Sequence, residues 1–131
     1  MRQLTVVLII VNILIFGLFG LAFALAPQYS AEMMSVQPDA PNGWIDLRAT
    51  YGGANVGVAV VLFLCLRNPA RRADGLFLIL VLTIGFMMGR ILGLLGETGE
   101  NYVHYVVFAI EILSISLTTW AWKSERKHLA I

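Results

Sequence analysis

The stretch Arg48-Ala49-Thr50-Tyr51-Gly52-Gly53-Ala54-Asn55 decides the fold. It places an arginine, a tyrosine and an asparagine at the head of an apolar run that reaches Leu66. Three runs of similar length flank it: Leu4–Ala26, Gly75–Leu95 and Tyr102–Trp122. Each is close to the roughly 20 residues that carry a helix across a ~30 Å hydrocarbon core. Backbone groups in lipid must satisfy one another, so these runs are predicted as helices rather than strands.

Composition agrees. Of 131 residues, 59% are hydrophobic and 13% charged, whereas soluble domains run at about 45–50% apolar and about 25% charged. The expected fold class is therefore all-α, an integral membrane antiparallel four-helix bundle. It is read as one domain over residues 1–131, with helices at 4–26, 47–66, 75–95 and 102–122 and an outer loop at 27–46. The net charge of +1 comes with no basic patch, so nucleic acid is not an expected partner. The lone Cys65 excludes an intrachain disulfide and a cysteine-based metal site. The first run, with Arg2 ahead of it and Ala24-Leu25-Ala26 at its end, has some look of a signal peptide. Its apolar core is longer than the roughly 7–15 residues of such a signal. Pro27 would also follow the cut directly. It is read as a membrane helix.

Arg2, Arg67, Arg71, Arg72, Lys123, Arg126 and Lys127 are seven of the nine basic residues, and all fall on one side of this topology. Glu32, Asp39, Asp46, Glu97 and Glu100 fall on the other. The positive-inside rule then puts both termini in the cytoplasm.

Local signals refine the segments. Gly17 and Gly20 thin the first helix for a neighbour, and Asn12 is read as an interhelical hydrogen-bonding residue. Pro27 ends that helix. The outer loop is expected to be a cap or short surface helix, with a turn at Ala31–Met34 and Trp44 at the interface; an unstructured connector is the alternative. Asp46 is the expected N-cap of the second helix. Arg48, Tyr51, Gly52 and Asn55 share one face of it at helical spacing, and Ala49, Gly53 and Gly57 form a second, close-packing face. Gly85, Gly89 and Gly93 make another such face beside Arg90, and Gly96 closes the third helix. The short acidic turn Glu97–Asn101 makes the third and fourth helices antiparallel neighbours. Tyr102 and Tyr105 at one end of the fourth helix, with Trp120 and Trp122 at the other, fit the aromatic belts of two interfaces.

A charge within a bilayer is paired or functional by default. At 1.5 Å per residue, Arg90 lies about 8 Å below the outer boundary, Asn55 about 12 Å and Glu111 about 14 Å. Side chains lean toward their helix N-terminus, so Arg90 and Glu111, on antiparallel neighbours, lean toward each other. An Arg90–Glu111 ion pair is predicted. Arg48, Tyr51, Asn55 and His104 are expected to line an outward-opening polar cleft above it. The inner half offers only hydroxyls such as Thr83, Ser114 and Thr118, which argues against a through-channel. The bland alternatives are a register-fixing pair for Arg90–Glu111 and a snorkelling arginine for Arg48. No catalytic residue, metal ligand set or cofactor is expected. His104 is the only membrane histidine, so it cannot supply both axial ligands of a b-type haem.

Arg48-Ala-Thr-Tyr51-Gly52-Gly53, Gly57, Gly89-Arg90-Ile-Leu-Gly93 and Glu111 resemble an uncharacterised bacterial four-helix membrane family, domain of unknown function four-three-four-five. The resemblance covers nearly the whole chain, with its marks in the second to fourth helices. It implies a multi-pass protein of the bacterial inner membrane and no established activity.

The residues themselves suggest a binding or accessory membrane protein. Arg48 and Arg90 would engage an anionic or carbonyl group of a lipid, quinone-like or other amphipathic molecule, and Glu111 would hold Arg90. A membrane-protein partner or a second copy is a further expected contact. The alternative is a small proton-coupled transporter using Glu111. A close arginine works against that role, because a carrier must take up and release its proton. A membrane enzyme is the third reading; it lacks a nucleophile–base pair.

Overall fold

The computed structural model describes residues 2–96 and 102–129. Among these, every regular element is helical: α1 (Arg2–Leu25), α2 (Pro27–Met33), α3 (Pro41–Leu47), a π-helical turn (Arg48–Gly53), α4 (Ala54–Arg67), a 3-10 turn (Pro69–Arg71), α5 (Arg72–Gly96) and α6 (Tyr102–Leu129). Four helical stretches are long and apolar enough to cross a membrane: Arg2–Leu25, Pro41–Arg67, Pro69–Gly96 and Tyr102–Lys127. The expected acidic turn, Glu97–Asn101, lies outside the described residues.

The chain divides into two compact units, Ile9–Arg67 and Met1–Leu8 with Asn68–Ile131. In the first, the stretch expected as a loop is largely helical. Pro27 has no N–H to continue α1, yet its fixed φ suits a first helical position, so it opens α2 instead. That helix ends at a left-handed Ser35, φ 56°, where Val36 N–H donates to the Ala31 carbonyl and Ser35 N–H to the Glu32 carbonyl. This is a Schellman closure with serine in the place usually given to glycine. Pro41 opens α3 after an extended Ala40. Asp46 therefore lies inside a helix and caps nothing; the helix it was expected to start already runs from Pro41. Phe23, Ala31 and Leu47 form a small buried core beneath these short helices, with Phe19 and Trp44 packed against it.

The close-packing face of the second segment differs from expectation. Gly57 has open space where a Cβ would go, and Gly53 meets only its own Arg48 carbonyl at 3.9 Å. Gly52 makes the close approach instead: a Cβ there would lie 2.9 Å from Ala24 N and 3.0 Å from Ala24 Cα. Gly20 on α1 answers it, with Val56 N at 2.8 Å and the Gly52 carbonyl oxygen at 2.9 Å from the equivalent point. Gly17 faces Ala59 at ordinary contact distance. The π-helical turn explains the difference. Ala54 N–H donates to the Ala49 carbonyl, five residues back, so each turn there holds an extra residue and the 3.6-residue spacing no longer says which glycine faces the neighbour.

In the second unit α5 and α6 run antiparallel, since Arg90 meets Glu111 while Phe77 stacks on Trp122 at 5.7 Å. Ala73, Leu76 and Ile79 on α5 and Thr118 and Ala121 on α6 are buried. Along α6 the less exposed positions 104, 107, 111, 114, 118, 121 and 125 alternate spacings of three and four. Such spacing is the seam of a coiled-coil-like pair. The opposite faces expose Val81, Phe86, Leu92, Val106, Ile110 and Leu113, as lipid-facing surfaces do. Gly85, Gly89 and Gly93 have nothing within 4 Å of a Cβ position among the described residues, so the expected close approach is not made there. Arg126 lies over the Trp122 ring at 5.3 Å, tying the basic end of α6 to its aromatic girdle.

Candidate functional site

The polar residues singled out in the sequence fall into two groups, one in each unit. Arg90, His104 and Glu111 are joined directly. Arg90 Nε donates to Glu111 Oε2 at 3.2 Å and Nη2 donates to Oε1 at 3.0 Å, a two-point fork on the carboxylate. The predicted ion pair is present, with the geometry that a planar guanidinium favours. His104, expected higher in a cleft, takes the third nitrogen: Arg90 Nη1 lies 2.9 Å from His104 Nδ1. Arginine has donors only, so Nδ1 must accept. The imidazole is then the neutral tautomer, with its one ring proton on Nε2.

Position on the seam explains the grouping. His104 and Glu111 are seven residues apart on α6, two turns on the same stripe. Arg90 occupies the matching stripe of α5 and reaches both. The pair is largely withdrawn from solvent, with side-chain exposures of 21% for Arg90 and 10% for Glu111. Further along the same stripe Thr118 is fully buried, and the described residues give its hydroxyl no hydrogen-bond partner.

Arg48, Tyr51 and Asn55 have other tasks. Arg48 Nη1 donates to the Ala24 carbonyl at the C-terminal end of α1, where a helix leaves acceptors without intrahelical donors. Its charge also suits that end of the helix dipole. Asn55 Nδ2 donates to the Tyr51 carbonyl at 2.7 Å, an oxygen displaced from ordinary α-helical bonding by the π-helical turn. The Tyr51 ring packs between Phe23, at 5.2 Å, and Phe19, at 6.4 Å. These three side chains hold the widened turn and dock α1 on it. The sequence marked all three, but their roles depend on a turn that helical spacing does not reveal. Replacing Arg48 by methionine should lower stability by about 1 kcal/mol, the worth of one hydrogen bond to a partly hydrated charge. Amide exchange should rise locally around residues 24–30 and stay unchanged in α5 and α6; a uniform rise would mean that the arginine does more than cap.

No curated protein and no solved structure matches the chain. One family model, domain of unknown function DUF4345, matches residues 4–122. That span contains the π-helical turn and all of Arg90, His104 and Glu111, and the chain belongs to this family.

Proposed function

We propose that this is an integral inner-membrane protein of a bacterium, a single-domain antiparallel four-helix bundle with both termini cytoplasmic. Its Arg90–His104–Glu111 cluster, in the outer half of the membrane, binds an oxygen-bearing group of a lipid or other small amphipathic molecule, either for its own task or as an accessory subunit of a larger membrane protein. One observation carries the reading. Two side chains from a neighbouring helix hold the guanidinium by three of its five N–H groups, which leaves donors oriented and unspent. A donor without an acceptor in hydrocarbon costs several kcal/mol, so such a group calls for a partner.

The transporter reading is less well supported. A carboxylate clasped at two points by arginine is poorly placed to cycle its proton.

Arg90→Lys keeps the charge and loses the planar fork, so it separates binding from simple charge pairing. Native mass spectrometry of detergent-extracted protein should show an adduct on the wild type whose occupancy falls about tenfold in Arg90→Lys. Identical adduct patterns on the two proteins would remove the binding site.

A further inference from the structure

We infer that the Arg90–His104–Glu111 cluster selects an uncharged carbonyl oxygen over an anion; the inference rests on the binding role proposed above. Two features point there. First, the charge is already balanced within the cluster, since Glu111 neutralises Arg90 and His104 accepts as a neutral ring. An incoming carboxylate or phosphate would meet Glu111 beside the arginine and would have to leave water fully charged. Second, the accessible edge carries donors. Two guanidinium N–H groups remain after the bonds to Glu111 and His104, and the ring proton of His104 is on Nε2. The carboxylate is the deeper partner, 10% exposed against 21% for the arginine. Its remaining lone pairs are the less available face. Donors around a neutral centre fit an acceptor with no charge of its own, such as the ester carbonyl of a neutral glyceride or the ring carbonyl of a quinone.

The test compares three probes with the same ten-carbon tail, titrated into the purified protein in dodecyl maltoside and followed by thermal shift: decylubiquinone, 1-decanoylglycerol and decyl phosphate. In the wild type one or both uncharged probes should bind about tenfold more tightly than decyl phosphate. Which of the two does so names the source of the carbonyl. Glu111→Gln leaves the arginine unneutralised and should reverse the order in favour of decyl phosphate. The wild-type order decides the matter even where that variant folds poorly. Tighter binding of decyl phosphate by the wild type, or an unchanged order in folded Glu111→Gln, would overturn the inference and leave a ligand site standing. Equal binding of all three probes, unaltered by His104→Phe, would overturn the ligand site itself.

Discussion

Arg90→Ala should destabilise the protein by roughly 3–5 kcal/mol, the usual effect of removing one partner from a buried, hydrogen-bonded ion pair. The magnitude follows from what stays behind. Glu111 is a buried residue. Without the fork it keeps a desolvated carboxylate, and His104 loses the donor at Nδ1. The doubly substituted Arg90→Leu, Glu111→Leu protein should regain most of the loss, because two apolar side chains of similar volume leave no uncompensated charge. Denaturant or thermal unfolding in micelles measures both. If Arg90→Ala unfolds within about 0.5 kcal/mol of the wild type, the pair is hydrated and of surface value only. The comparison also separates two roles. A protein that keeps its stability through the double leucine change but loses its bound amphipath used the pair for binding; one that loses neither used it to fix register.

Gly52→Ala should be destabilising by about 1–3 kcal/mol, although alanine normally gains close to 1 kcal/mol over glycine inside a helix. The added methyl would stand 2.9 Å from Ala24 N and 3.0 Å from Ala24 Cα, both backbone atoms. No flexible side chain can yield there; α1 itself must move. Gly20→Ala should behave alike, because its Cβ would meet Val56 N at 2.8 Å. Gly57→Ala is the matched control. It has nothing within 4 Å and should gain the ordinary helix-propensity increment of up to about 1 kcal/mol. Opposite signs at Gly52 and Gly57 are the expected result in thermal unfolding. A gain at both positions would mean that α1 and the widened turn are not in contact.

The two sites were not equally legible in the sequence. Four apolar runs of membrane length announce the helices, because the thickness of hydrocarbon sets their length whatever the details of packing. The Arg90–Glu111 pair was legible for a similar reason. A short connection makes the helices antiparallel, and the lean of side chains toward the helix N-terminus then brings the two charges together. His104 belonged to the same stripe by its spacing of seven from Glu111, but that its ring would receive the third guanidinium nitrogen needed coordinates.

The second segment was harder. Arg48, Tyr51, Gly52 and Asn55 share a face only if every turn has 3.6 residues, and this segment contains a turn that does not. Arg48 looked like a group reaching for an outside anion because its partner is a backbone carbonyl of α1, and carbonyls leave no mark in a sequence. Gly52 was assigned to the polar face when it is the point of closest helix contact. The outer loop was likewise read as a cap without its particulars. Pro27 and Pro41 both begin helices there, and Ser35 takes a left-handed conformation that serine seldom adopts.

The extra residue held in the turn at Arg48–Gly53 makes this stretch a phase device for the helix that follows. Removing one residue there would let the backbone relax into an unbroken α-helix, with no hydrogen bond lost, yet everything from Ala54 to Arg67 would rotate by about 100° relative to the part before it. Ala59, Leu62 and Cys65, now buried, would swing away from their neighbours. The segment can thus accept many changes of side chain while rejecting a change of length, so its ruler is the number of residues and not their identity.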